Sequence, residues 1–207
     1  MTNQGQCKME QKHLFQIYKK YSKHCDKGNK HSYISFYEGL FLPYRDKLTN
    51  LLEVGVYRGP SLNLWRDYFY NCSNIVGVDI SKENLLSQYT DEWCSKIDLV
   101  VGDSTNENIL EDNNIKDFEF DIIIDDGDHS FIAQSKTFDV FYDKLKKGGL
   151  YIIEDVLEKP YGNSWEKFKE NYSELNPIYL DFIDHRKDTG LDLANGRSNR
   201  LIVFYKK

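Results

Sequence analysis

Five short apolar runs, each carrying a carboxylate at or just past its C-terminal end, constrain this chain most. They are Leu51 to Val56 with Glu53 inside, Ile75 to Ile80 with Asp79, Ile97 to Val101 before Gly102-Asp103, Phe120 to Ile124 before Asp125-Asp126-Gly127, and Leu150 to Ile153 before Glu154-Asp155. Runs of this length, apolar on both faces, suit parallel strands buried between two layers. Helical patterns separate them. Ser61 to Tyr70 puts Leu62, Trp65 and Phe69 on one side, Ser81 is placed to cap a helix, and Phe131, Phe138, Tyr142 and Leu145 mark another that stops at Gly148-Gly149. Strand alternating with helix predicts an α/β fold whose parallel sheet is covered on both faces.

The rhythm changes after the fifth run. Trp165 to Tyr172 reads as a helix, and Pro177 to Ile183 and Arg200 to Tyr205 read as strands with only a polar loop between them. Without a helix-length crossover those two must pair antiparallel, so a mostly parallel seven-stranded sheet closes on one hairpin. Upstream, Leu14, Ile17, Tyr18 and Tyr21 share a helical face between Gln11 and Cys25, and an aromatic-rich segment from His31 to Leu42 ends at Pro43. No linker divides the chain. It is expected to be one domain over residues 1–207, with 1–45 a helical, aromatic segment able to act as a lid and 46–207 the core.

With 33 acidic residues against 27 Lys and Arg, the net charge is -6, which argues against a dedicated binder of nucleic-acid backbone. Cys7, Cys25, Cys72 and Cys94 show no C-x-x-C spacing, so neither a zinc site nor a redox pair is indicated. Met1 to Glu10 is polar, and no stretch approaches the roughly 18 apolar residues that cross a bilayer. The expectation is a cytoplasmic protein without a membrane span. A homo-oligomer is compatible with it.

Ligands of an open parallel sheet bind beyond the carboxyl ends of its strands. Gly55 and Gly59, before Pro60-Ser61, permit a tight strand-to-helix turn and close approach of backbone to a ligand, although such a turn also serves structure alone. Asp79 follows Gly55 by 24 residues, the distance at which an acidic residue reaches a ribose diol; capping beside Ser81 is the plainer alternative. Asp103 is placed to meet an adenine amino group or simply to close a turn. The turn is not G-x-G-x-x-G, which disfavours a dinucleotide dehydrogenase, and there is no P-loop.

Taken together, Glu53-x-Gly-x-x-x-Gly, Val-Asp79, Gly-Asp103, Asp125-Asp126 and the closing hairpin resemble the Rossmann-like S-adenosylmethionine-dependent methyltransferases over about residues 50–207. The resemblance implies that the turn bearing Glu53, Gly55, Tyr57, Gly59 and Ser61 cradles the methionine part of S-adenosylmethionine. It further implies Asp79 with Ile80 at the ribose, Asp103 with Ser104 at the adenine, and Asp125 in the same donor set. Asp125-Asp126-Gly-Asp-His129, Gly148-Gly-Leu-Tyr-Ile-Ile-Glu154-Asp155, Asp26-Lys27 with His31-x-Tyr33 and Tyr37-Glu38, and Leu64 to Phe69 narrow it. These are similar to segments of metal-dependent sugar O-methyltransferases that act on glycosylated natural products such as macrolides. That implies magnesium held by Asp126, Glu154 and Asp155, and His129 as the base.

The residue chemistry agrees. Neighbouring strand ends lie about 4.8 Å apart, so three carboxylates there can share one cation. All-oxygen ligands suit magnesium or manganese better than zinc. A metal makes a sugar hydroxyl more acidic, and a nearby imidazole is suited to take its proton; the plain alternative for His129 is a packing or capping histidine. Tyr33, Tyr37, Tyr161 and Trp165 are the candidates for the sugar-bearing acceptor, with core packing as the alternative for the first two and helix anchoring for Trp165. A catechol- or phenol-type O-methyltransferase is the runner-up, although its metal pair usually reads Asp-Asn rather than Glu-Asp. A ribose methyltransferase lacks its Lys-Asp-Lys-Glu tetrad here, and an inactive donor-binding protein would have degraded motifs.

Overall fold

The expected runs pair into one sheet. A computed structural model describes residues 12–81, 97–160, 162–182 and 198–207. Its strands are β1 Asn50–Val54, β2 Asn74–Asp79, β3 Ile97–Val101, β4 Phe120–Asp125, β5 Leu145–Ile153, β6 Ile178–Asp181 and β7 Arg200–Tyr205. They lie in the order β3-β2-β1-β4-β5-β7-β6. β1 pairs parallel with β2 and β4, as do β2 with β3 and β4 with β5, while β7 runs antiparallel to both β5 and β6. The antiparallel pairing expected of the last two strands is present.

Helices cover both faces: α1 Leu14–Tyr21, α2 Tyr33–Phe41, α3 Pro60–Tyr68, α4 Phe131–Phe141 and α5 Ser164–Asn171. Strand alternation divides the core between two layers. On β4, Ile122 and Ile124 pack toward α1, α2 and α3, whereas Ile123 packs with Phe138 and Phe141 of α4 and Phe168 of α5.

Among the described residues of the N-terminal segment, the aromatic side chains of α2 are part of this core. Tyr33, Tyr37 and Phe41 are wholly buried; Tyr37 stacks on Phe41 at 4.7 Å, and Trp65 of α3 meets both rings edge-on. Truncating a buried aromatic of this kind to alanine costs about 3–5 kcal/mol. One difference concerns Leu145. The helix expected to reach it stops at Phe141, and β5 begins at Leu145. Gly148, at φ +78, donates to the Lys206 carbonyl, and Gly149 accepts from the Lys206 amide, so the glycine pair extends the strand. Among the described residues no helix is long and apolar enough to cross a membrane.

Candidate active site

β1 is flanked by β2 on one side and β4 on the other, and the chain reverses its winding between them. A crevice opens over the strand ends at such a switch point. Here it is a cleft of about 500 Å³ lined by Gly55, Tyr57, Asp79, Ile80, Asp103, Ser104 and Asp126, among others.

The end of β1 shapes one wall. Gly55, at φ +81, donates its amide to Val78 of β2, and Asp126 donates its own to Val54. Tyr57 follows at φ +50, a left-handed conformation uncommon for a tyrosine. That twist aims its amide at Asp79 Oδ2, 2.8 Å away, while the Ser81 amide reaches Oδ1 at 2.9 Å. Asp79 thus accepts from Ser81 and also lines the cleft, and each of its oxygens keeps a second acceptor position. Ile80 presents a 75% exposed side chain beside it. Asp103 accepts from the Thr105 hydroxyl and amide, which hold its carboxyl below the usual range. Ser104 Oγ lies 2.9 Å from Thr137 Oγ1.

Other residues expected around the donor stand back from this cleft. Glu53 is wholly buried beneath the turn, Gly59 at φ +71 starts α3, and Ser61 lines a neighbouring recess. Asp125 is buried and accepts from the Gly127 amide; burial pushes its carboxyl up to about 8 despite that bond.

The ends of β4 and β5 form the second half of the site. One oxygen each of Asp126 and Asp155 and one ring nitrogen of His129 lie within 4.8 Å of one another. His129 Nε2 is 3.7 Å from Asp155 Oδ2, and His31 Nδ1 is 3.3 Å from Asp155 Oδ1. Asp155 itself has φ +53, backbone strain that persists only where its surroundings fix it. Glu154 is deeper, with both oxygens accepting from Lys27 Nζ at 2.8 and 2.9 Å. Burial first, then the charge of Asp126, pushes Glu154 and Asp155 well above the carboxylate range, although Lys27 pulls both down.

Tyr33 and Tyr37, expected to face an acceptor, are wholly buried, and their hydroxyls meet the acidic pair: Tyr33 donates to Asp155 Oδ1 and Tyr37 to Glu154 Oε1, each at 2.7 Å. Trp165 is 8% exposed, with Lys169 and Arg200 over its ring, and anchors α5. Tyr161, the helix expected after Ser81 and residues 183–197 of the polar loop lie outside the described residues. A second cleft of about 500 Å³, lined by His129, Phe131, Leu157, Asn163 and Ser164 among others, meets the first at Asp128.

Two contributors were given no role by the sequence reading. Lys27 and His31 lie in segments that carry the family resemblance, but in sequence they precede β1 by about twenty residues, and nothing in the pattern says that they meet the ends of β4 and β5.

Comparisons with known proteins converge on one kind of chemistry. Residues 8–172 match the O-methyltransferase family. The 8-demethyl-8-alpha-L-rhamnosyl tetracenomycin-C 2'-O-methyltransferase of Streptomyces olivaceus is 32% identical over 170 residues, 79% of this chain and 42% of that protein. The demethylmacrocin O-methyltransferase of Streptomyces fradiae is 30% identical over 181 residues, covering 83% of this chain and 44% of that one. This chain thus spans less than half the length of these relatives. In fold it is similar to MycE methyltransferase from the mycinamycin biosynthetic pathway, solved with Mg, SAH and mycinamycin VI. The TM-score is 0.69 at 22% identity, over 95% of this chain and 55% of that one.

Proposed function

Because this chain belongs to the O-methyltransferase family, we propose that it moves a methyl group from S-adenosylmethionine to a sugar hydroxyl of a glycosylated acceptor, with a divalent metal, magnesium or manganese, in the site. The observation that carries this reading is the meeting of Asp126, His129 and Asp155 where the two clefts adjoin. The carboxylate oxygens fit a hard divalent ion, with the imidazole beside them free to act as the base. Asp126 and Asp155 offer oxygens to it, and Glu154 Oε2 keeps an acceptor position beyond its bond to Lys27.

When bound, S-adenosylmethionine supplies the electrophilic methyl group and the divalent ion lowers the pKa of the acceptor hydroxyl. The chain's own residues do the rest. Asp79 would accept from the ribose hydroxyls, and Asp103 and Ser104 would hold the adenine. The Gly55 turn lets backbone approach the methionine part. His129 Nε2 takes the proton of the sugar hydroxyl, and the Asp155 carboxylate stabilises the resulting imidazolium. A glycosylated acceptor is supported by the Streptomyces olivaceus relative, a 2'-O-methyltransferase of a rhamnosyl tetracenomycin.

The test is an acceptor screen with labelled donor, comparing deoxysugar glycosides, catechols and RNA, with and without chelator. Metal-dependent transfer to the glycosides alone is expected. Preference for catechols would shift the reading to a phenol-type enzyme, and transfer that persists in excess chelator would remove the metal.

A further inference from the structure

Lys27 is the least expected charge in the molecule. Its side chain is 1% exposed, yet its Nζ lies 2.8 Å from Asp126 Oδ2, 2.8 and 2.9 Å from the two oxygens of Glu154, and 3.4 Å from Glu53 Oε1. One ammonium thus joins the ends of β4 and β5 to the floor of β1, across the switch point itself. The backbone holds it ready. The Lys27 carbonyl accepts from the amides of Tyr33 and Ile34 at the start of α2, and the Asp26 carbonyl accepts from those of Asn29, Lys30 and His31. The next residue must be small, because a Cβ at Gly28 would lie 2.7 Å from the Tyr18 ring.

Buried carboxylates such as Glu53 and Glu154 are costly unless a cation compensates them. A divalent ion between Asp126 and Asp155 does that only while it is bound. We propose that Lys27 is the resident cation of the site, a positioning residue that keeps Glu53, Asp126 and Glu154 gathered so that the fold and the acidic site survive without the metal. The inference rests on the metal assignment made above for the role of the site, but its physical core, the compensation of buried carboxylates by one ammonium, is measured without any metal.

Thermal unfolding of the full chain tests it in two conditions, excess chelator and saturating Mn²⁺, for the wild type, Lys27→Met and the double variant Lys27→Met with Glu154→Gln. In chelator, Lys27→Met should melt about 10 °C or more below wild type, the loss expected when one partner of a buried ion pair is removed from a chain of this size. Mn²⁺ should raise its Tm several-fold more than it raises that of wild type, because the ion now supplies the missing positive charge. The double variant, having lost one carboxylate with the ammonium, should recover at least half of the loss in chelator. A merely structural lysine would lower the Tm equally in both conditions.

Lys27→Met melting within about 2 °C of wild type in chelator would overturn the proposal. So would an equal loss in both conditions with no recovery in the double variant. If Lys27→Met does not fold at all, the double variant decides: folded in chelator it supports the proposal, unfolded it refutes it. Mn²⁺ binding to wild type, followed by electron paramagnetic resonance, separates the two readings. Absence of binding would refute the metal assignment while the chelator comparison still judges Lys27.

Discussion

A Cβ placed on Gly55 would lie 2.0 Å from the carbonyl oxygen of Asp126. The turn after β1 and the acidic loop after β4 are therefore in backbone contact, and the proposed donor cleft and the acidic site share a wall. Gly55→Ala must push that wall apart while also forcing alanine to φ +81. We expect a stability loss of about 2 kcal/mol or more together with weakened donor binding. Chemical denaturation and calorimetry on the same preparation check both. Unchanged binding in a folded variant would place the donor away from this turn.

Asp79 is fixed from two sides by the amides of Tyr57 and Ser81, so its remaining acceptor positions are preorganised. Asp79→Ala should weaken S-adenosylmethionine binding by about 1.5–3 kcal/mol, the scale of a lost hydrogen bond to a charged group. Titration calorimetry reads this directly.

Removing the proposed base should act on turnover and not on the bound ground state. His129→Ala is expected to slow single-turnover methyl transfer by about 10²–10⁴-fold, with donor and Mn²⁺ affinities within a few-fold of wild type. Loss of Mn²⁺ affinity instead would make His129 a metal ligand. A rate within a few-fold of wild type would leave it structural.

Chelation should abolish transfer and magnesium should restore it, while donor binding largely persists. The reason is spatial: Asp79 and Asp103 line the first cleft, whereas Asp155 lines a neighbouring recess. Donor affinity measured in excess chelator checks this, and its collapse would mean that the metal organises the donor cleft as well.

Asp121 provides a test of pH dependence remote from the chemistry. Its Oδ2 accepts from the amides of Thr49 and Asn50, the Thr49 hydroxyl and Lys146 Nζ, tying the start of β1 to β4 and β5. Burial opposes the charged form, but these donors together hold the carboxyl below the usual range. A pKa depressed by folding adds stability above the unfolded value, about 4, and that stability is lost as pH falls through the lower folded value. Asp121→Asn should thus cost about 1–3 kcal/mol at pH 7, with the gap to wild type narrowing below pH 4. Denaturation midpoints at pH 7 and pH 3 measure the two ends.

The sheet could be read from the residues because each strand is a short apolar run punctuated by glycine and carboxylate, and because the sequence from Asp184 to Asn199 is polar and carries no apolar helical stripe. The places of Gly55, Asp79, Ile80, Asp103 and Ser104 around one cleft follow from that topology, since successive parallel strands bring their ends to one edge. Side-chain direction does not follow from it. Asp125 and Asp126 are adjacent in sequence, yet the first is buried and the second borders the cleft, because neighbouring residues leave a strand on opposite faces. Likewise the aromatic spacing of α2 marks a buried stripe, but nothing in that spacing says that two of its hydroxyls end on Glu154 and Asp155. Such contacts link residues more than 100 positions apart and depend on how the layer is packed.

The docking of α2 against the acidic pair has a consequence for how such a chain can be altered by inheritance or by grafting. Lys27, His31, Tyr33 and Tyr37 all reach Glu154 or Asp155, so one stretch of eleven positions sets the charge and hydrogen-bond state of a pair on the far side of the sequence. The stretch cannot drift residue by residue without changing the acids it serves. In chimeras with its relatives, it should travel as a block or not at all.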